Sequence, residues 1–538
     1  MKLYLNLEQG AGTPDSEGGL PPARSRWILV GLIAISFGLS VSGIRQNLPY
    51  AAEADEPQFM TCALHIAGSG DLNPGWFGHP GSTVIYPLAA ILHAWNALTH
   101  HGMFFHHDPN LQRTFGTNPT EFYLLGRLLS IAYAVMSVPL VYKLGRRALG
   151  ERVGLMGSCL WVVHPIVISY AHVLRSDSAA TFYCLLSLWL CLRLADRPSI
   201  GNQITAGSAV GLGIATRYFA MALIPVLVAT DALILWRRIS ERPSLRAILL
   251  GMAAGLLAVL VSFALSTPFF FLDFKTVSEN LALEAETTHL GADGLSHWGN
   301  FWWYLTQAIP RSLSWPQAVL AASGIAILLW RREPKQVLLL IFTTVFLVEM
   351  SLLALHWLRW TIQVLPLLAL FAADALSMGM SHLSSSFRLS RSWHYCVVTA
   401  ALLAAIAIPC CQTVLLSIRQ ANPSTRILSR QWIMQNLPPG SRIAQEWYAA
   451  PLGGADFAVS EQVSLALNRE LEDYNYRGYR YLVVSSYVYG RYLAEPQRYY
   501  AEVAFYRALF ARGRLLREFG PSITRGGPVI RIYELPLQ

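Results

Sequence analysis

The sequence predicts a polytopic α-helical membrane protein of about eleven spans, with interfacial helices in its first outer loop and a small α/β domain at its C-terminal end. Three observations predict it. Of the 538 residues 54% are hydrophobic and only 14% charged, with a mean hydropathy of +0.38, whereas soluble domains average about 25% charged. Apolar runs recur at lengths approaching the roughly 20 residues that cross a bilayer. Those runs stop near Ser417, and strand-like segments follow. The 39 Gly, 29 Pro and 7 Cys are ordinary counts that exclude disorder, collagen and a disulfide scaffold.

Residues 1–26 read as an inner tail and 27–44 as an uncleaved anchor, since no small-residue cleavage site follows closely. The first outer loop, 45–127, is rich in Asn, Pro, Gly and His. Within it, 51–67 and 82–98 read as helices lying at the membrane surface. The later spans read as 128–141, 153–163, 179–192, 206–214, 219–235, 248–265, 319–329, 337–355, 361–376 and 397–416. Basic residues cluster between alternate pairs: Lys143, Arg146, Arg147 and Arg152; Arg193 and Arg197; Arg237, Arg238, Arg242 and Arg246; Arg331, Arg332 and Lys335; Arg388 and Arg391. Inner loops carry excess Lys and Arg. With 82–98 at the surface, every cluster falls on the side of the N-terminus and the tail falls outside; if 82–98 crossed, all would fall outside. The net charge of +9 therefore speaks of orientation rather than of nucleic acid.

The tail, 417–538, reads as a separate α/β domain outside the membrane. Pro438-Pro439-Gly440-Ser441-Arg442-Ile443 is a loop running into a strand, Tyr481–Ser485 a buried strand and 529–533 a terminal strand. Between the last two, 501–510 is a helix with Val503, Tyr506 and Phe510 at helical spacing.

This topology collects polar residues on the outer face. They are Asp55-Glu56-Pro57, the stretch Asp71 to Pro80, His172, Arg175, Asp177, Arg217-Tyr218, and His356-Trp357-Leu358-Arg359-Trp360. A long outer loop, 268–314, adds Asp273, Lys275, His289 and His297. Charges at span ends cost free energy unless paired or hydrated, so they are functional candidates. Arginines with carboxylates suit an anionic substrate attacked with help from a base.

Asp55-Glu56 after the first span, then Gly70-Asp71-Leu72-Asn73-Pro74 and His79-Pro80, then Arg175-Ser176-Asp177 between two spans, resemble the GT-C glycosyltransferases. The branch is similar to glycosyltransferase family 39, the protein O-mannosyltransferases and lipid A aminoarabinose transferases. The resemblance runs on through Gly145-Arg146-Arg147-Ala148-Leu149-Gly150, Thr216-Arg217-Tyr218 and Leu365-Pro366-Leu367-Leu368, and covers most of residues 27–380.

The resemblance implies a sugar moved from an undecaprenyl or dolichyl phosphate to a glycan, lipid or protein acceptor, with inversion, on the outer face of a bacterial inner membrane. It makes Asp55 the base, with Glu56 orienting Asp55 or binding acceptor. Asp177 becomes a second acid for acceptor or metal, and Arg175, Arg217 and Arg359 hold the phosphate. Aminoarabinose transferases carry Glu-Lys-Pro where this chain has Gly78-His79-Pro80. A divalent metal ion at His79 and Asp177 is thus an open expectation, and no other cofactor is expected. Trp76, Trp302 and Trp303 are sugar-stacking candidates. The fold partners are membrane lipids; nucleic acid is not expected.

Each signal has a plainer reading. Glu56 before Pro57, with Asp55, suits a helix start favoured by the dipole. Asp177 starts a helix as N-terminal acids do. Arg175 and Arg217 suit snorkelling anchors, and Arg359 between Trp357 and Trp360 suits an aromatic belt. The pairs His100-His101 and His106-His107 lack helical metal spacing and read as solvated. No CxxC occurs, and most cysteines, Cys410-Cys411 included, lie in spans, leaving Cys62 in an outer segment. The competing functions are a transporter or lipid flippase, and a noncatalytic assembly protein. Transporters place charges at the midplane of repeated halves, which this sequence does not display.

Overall fold

The computed structural model describes residues 22–536, except 52, 54, 100–110, 239–244, 285–294, 354, 388–389 and 468. The histidine pairs at 100–101 and 106–107, His289, Arg242 and Arg388 lie outside the described residues.

Among the described residues eight helices are long and apolar enough to cross a membrane: Ala23–Ser42, Pro119–Ala148, Asp177–Asp196, Tyr218–Arg237, Ile248–Ser266, Pro334–Ser351, Leu365–Ser386 and Ser392–Asn436. Glu151–Val162 and Pro165–Ala171 add a ninth if the pair, bent by 67°, is one span. The bend has a local cause. Pro165 forces the preceding residue away from helical geometry, and His164 has ψ 126°. The helices Ile200–Thr216 and Trp315–Arg331 stand at the two other expected positions, each 17 residues long. A count of eleven includes both of these and the bent pair.

Small residues bring the helices together. A Cβ added at Gly207 would lie 2.1 Å from the Gly255 carbonyl oxygen, and one at Gly211 2.0 Å from Ser262 Oγ. Ile200–Thr216 and Ile248–Ser266 therefore touch backbone to backbone, as small-x-x-x-small helices do. A Cβ at Gly324 would likewise meet the Phe371 oxygen at 2.0 Å. Between the spans Trp161, Leu185, Phe342, Phe346 and Phe371 are buried, while Leu257, Leu260 and Leu265 are exposed, as a lipid-facing side requires.

The first outer loop forms the two expected helices, Glu56–Ser69 and Ser82–Thr99. They pack on each other and on Pro119–Ala148 through Phe59, Leu64, Ile85, Leu88 and Phe122. The long loop is not plain loop. It contains Phe274–Glu284, His297–Trp303 and a π-helical turn, Tyr304–Ala308. It is tied to the first loop: Asn73 Nδ2 donates to Asp273 Oδ2 at 3.0 Å and the Phe77 amide to Asn280 Oδ1 at 2.8 Å.

The C-terminal domain holds a five-stranded sheet in the order β2-β1-β3-β5-β4. Its strands are β1 (Arg442–Glu446), β2 (Ala458–Gln462), β3 (Tyr481–Ser485), β4 (Arg514–Phe519) and β5 (Ile530–Glu534). β1 is parallel to β2 and β3; β5 is antiparallel to β3 and β4, with Leu482 opposite Tyr533. Alternate residues fill opposite faces: Leu482 and Val484 meet Val503, Tyr506 and Leu509 of the Tyr500–Arg512 helix, while Tyr481, Val483 and Ile532 join Ile433. Phe510, expected on the buried face, is half-buried and stacks on Tyr533 at 5.8 Å. Glu446 is fully buried and accepts from the Ser485 amide at 2.8 Å and from the Tyr506 hydroxyl. Burial pushes its carboxyl up to about 7, against those hydrogen bonds.

The domain leans on the membrane helices. The Arg430 guanidinium lies 4.6 Å over the Tyr50 ring and that of Arg491 4.7 Å over Trp357; Arg419 Nε donates to the Ile523 oxygen at 3.1 Å.

Candidate active site

Four chain turns deliver the charged residues to one place. Asp55 precedes the Glu56–Ser69 helix, Arg175 lies in the turn before Asp177–Asp196, and Arg217 follows Ile200–Thr216 in an extended conformation. Arg359 sits in the 3-10 turn Leu358–Thr361. Asp55 occupies the N-cap position but makes no side-chain cap hydrogen bond, so its carboxylate is turned to the arginines instead of the helix end.

Arg175 is the hub. Its Nη2 donates to Asp55 Oδ2, its Nε to Asp177 Oδ2 at 3.2 Å, and its Nη1 lies 3.6 Å from Glu53 Oε2. Arg217 Nη1 donates to Asp177 Oδ1. Arg359 Nη2 and His79 Nε2 stand 3.7 and 3.8 Å from Asp55 Oδ2. Arg175, Asp177 and Arg217 are almost wholly buried, whereas the Asp55 side chain is 27% exposed. Burial alone would raise the Asp55 pKa; Arg175, His79 and Arg359 outweigh it and hold the carboxyl well below its usual range. Burial, opposed by Asp55, takes His79 below its ordinary value, so its ring is neutral at pH 7. The Nε atoms of Arg217 and Arg359 and Nδ1 of His79 are buried without a hydrogen-bond partner. The two guanidinium Nε–H groups are donors that an anion or a polyhydroxylated ligand satisfies, whereas Nδ1 of a neutral His79 with Nε2–H toward Asp55 is an acceptor.

The cluster opens on a cavity of about 740 Å³. Its wall includes Asp55, His79, Arg175, Arg217 and Arg359, with Trp76, Phe219, Glu349 and Trp360 beside them. The C-terminal domain supplies Trp447, Tyr448, Arg491 and Tyr492. Trp76 lines the wall with its ring edge-to-face with that of His79 at 4.7 Å. Trp302 and Trp303 are not in this wall: Trp302 is 59% exposed and Trp303 packs on His356 at 4.2 Å. Trp357, Trp360 and Trp447 line it instead.

Glu56 departs from its expected role. Arg127 grips it with two hydrogen bonds of 2.9 and 2.8 Å, and the Leu174 amide adds a third at 2.9 Å. Both oxygens are thereby committed, Oε1 to Arg127 and the loop before Asp177 and Oε2 to Arg127, and Glu56 is not in the wall of this cavity.

The expected metal also fits poorly. Both Asp177 oxygens face guanidiniums, and among the described residues no three His, Cys, Asp or Glu side chains form a cluster that could hold a metal ion. Cations already fill the positions around these carboxylates, and a divalent ion would meet Arg175 and Arg217 at contact range.

Residues 123–266 match the family of dolichyl-phosphate-mannose-protein mannosyltransferases. A curated relative, the undecaprenyl phosphate-alpha-4-amino-4-deoxy-L-arabinose arabinosyl transferase 2 of Pseudomonas fluorescens, is 26% identical over 362 residues. That match covers 64% of this chain and 58% of the relative's length. ArnT from Cupriavidus metallidurans, solved with undecaprenyl phosphate, superposes with a TM-score of 0.53 at 14% identity, over 94% of this chain and 98% of its own. The archaeal oligosaccharyltransferase AglB from Archaeoglobus fulgidus, solved with an inhibitory peptide and a dolichol-phosphate, gives 0.51 at 13%, over 93% and 74%. At 13% and 14% identity the likeness to these two structures is one of fold: in this chain, membrane-spanning helices, loop helices carrying an acid–arginine cluster and a C-terminal sheet domain.

Proposed function

We propose that the protein is an inverting glycosyltransferase that moves a sugar from a polyprenyl-phosphate donor to a cell-envelope glycan, lipid or protein acceptor. The observation that carries this reading is the ionised, cavity-facing Asp55 held between Arg175 and Arg359, beside buried and unpartnered Nε donors of Arg217 and Arg359. In this reading the donor phosphate rests on Arg217 and Arg359. The acceptor oxygen attacks the anomeric carbon from the face opposite the phosphate. The carbon–oxygen bond to phosphate breaks, and the electron pair leaves with polyprenyl phosphate. The hydroxyl proton passes to Asp55.

The low Asp55 pKa fits this order of events. The carboxylate is ionised at neutral pH before substrate arrives. The phosphodiester anion of the donor draws on the same guanidiniums, weakens their hold and raises the basicity of Asp55 when the donor is seated. Arg217 and Arg359 then stabilise charge developing on the departing phosphate. Asp177 is the positioning group that aligns Arg175 with Arg217. Trp76 is the stacking surface for the sugar. The chemistry belongs at the outer face of a bacterial inner membrane, with the N-terminus inside and the C-terminal domain in the periplasm.

Purified full-length protein in lipid nanodiscs, given radiolabelled polyprenyl-phosphate sugars and an envelope extract, tests the reading. Transfer is expected, and Asp55→Asn should slow it by about 10³-fold with donor binding retained. Full activity in that variant would refute Asp55 as base. Absence of transfer with every donor would favour the transporter or flippase alternative, which a vesicle translocation assay reads directly.

A further inference from the structure

A second cavity, of about 710 Å³, lies where the C-terminal domain meets the membrane helices. Its charge is lopsided. Arg359, Arg419, Arg426, Arg491 and Arg525 line it. Of the two carboxylates in its wall, Glu56 is saturated by Arg127 and Leu174, which leaves Glu53. Arg419 Nε donates to the Ile523 oxygen at 3.1 Å and Arg426 Nε to the Ala449 oxygen at 2.8 Å. The bond to a carbonyl orients the Arg419 guanidinium and leaves its charge in place. Burial takes both Arg426 and Arg491 below their ordinary pKa values, with Glu53 and Glu461 opposing at Arg426.

The cavity lies at the level of helix ends. Leu416 and Arg419 belong to the last turns of Arg391–Ala421, and His172 follows Pro165–Ala171. It also touches the first cavity through a shared wall: Glu53, Trp357, Arg359, Tyr448 and Arg491 line both. Trp357 is stacked between two guanidiniums, Arg359 at 4.9 Å and Arg491 at 4.7 Å.

We propose that the second cavity binds the phosphate group of the acceptor, held by Arg419 and Arg525, so that the acceptor hydroxyl reaches Asp55 past Trp357. The word acceptor rests on the glycosyltransferase reading; the anion site does not. Phosphate fits better than carboxylate because it offers enough oxygens for several planar guanidinium forks, where a carboxylate saturates with one or two. The phosphate comes either from a lipid headgroup or from a soluble phosphorylated glycan.

The test uses the whole protein in phosphatidylcholine nanodiscs with two probes: inorganic pyrophosphate in solution, and phosphatidic acid mixed into the bilayer. Saturable binding of at least one probe is expected. It should weaken about tenfold or more in Arg419→Gln/Arg525→Gln, recover in part in Arg419→Lys/Arg525→Lys, and persist in Arg217→Gln. Pyrophosphate binding alone identifies a soluble phosphorylated source, and phosphatidic acid binding alone a lipid headgroup. If neither probe saturates, or if the Gln pair binds as wild type while melting at the same temperature, the inference is wrong. Intact probe binding in a protein that transfers no sugar would instead defeat the glycosyltransferase reading and leave the anion site standing.

Discussion

Asp55 and Glu56 are neighbours with opposite fates. Asp55 has a partly exposed carboxylate facing arginines; Glu56 has a sealed one. A buried ion pair gives little net stability, but breaking one leaves a bare charge in a low dielectric. Arg127→Met should therefore destabilise the protein by about 3–5 kcal/mol, whereas Arg127→Met with Glu56→Leu should recover much of that loss. Apparent melting temperatures in detergent check both. The cluster itself was legible: Asp55, His79, Arg175, Asp177, Arg217 and Arg359 are charged or titratable groups at span ends, where an idle charge is costly. The direction of a side chain was not. Two adjacent acids at a helix start give the same sequence signal, and only Arg127, 71 positions away, tells them apart. Trp302 and Trp303 misled for the same reason, because ring type says nothing about which wall a ring joins.

Among the elements, the tightest contact is also the most exposed to test. The Ile200–Thr216 and Ile248–Ser266 helices meet where Gly211 leaves no room for a side chain. Without a hydrophobic force between helices in lipid, such close backbone packing holds the pair together. Gly211→Leu must push the helices apart, and a loss of several degrees in apparent melting temperature is expected, against little change for Gly201→Leu, where a Cβ meets nothing within 4 Å. The strands of the tail divide along a physical line. β3 and β5 are buried or nearly so and were readable as apolar runs. β2 and β4 form the sheet edges, with mostly exposed or half-exposed residues, so neither shows the alternation that marks a strand. Spans 206–214 and 319–329 were read short because polar and small residues at their ends continue the helix without adding hydropathy.

Across the whole molecule, the C-terminal domain completes the cavity, and its Trp447, Tyr448, Arg491 and Tyr492 had no sequence signal linking them to Asp55. The domain also carries a pH term. Glu446 has a folded-state pKa raised from 4.5 to about 7, so its neutral form is the one the fold favours. Its contribution is fully present below pH 4.5 and is lost as pH rises through about 7. Stability should fall by about 3 kcal/mol over that interval, and Glu446→Gln should flatten the dependence. Melting curves of the full chain from pH 5 to 8 measure it.

The wall common to both cavities has a kinetic consequence. If the protein is the glycosyltransferase proposed above, two chambers that share Trp357 and Arg359 without overlapping completely let donor and acceptor be resident together. Neither has to depart before the other arrives, and no sugar is parked on the protein between them. Initial rates measured over a grid of donor and acceptor concentrations should therefore give double-reciprocal lines that intersect. Parallel lines would mean the chambers are used in turn.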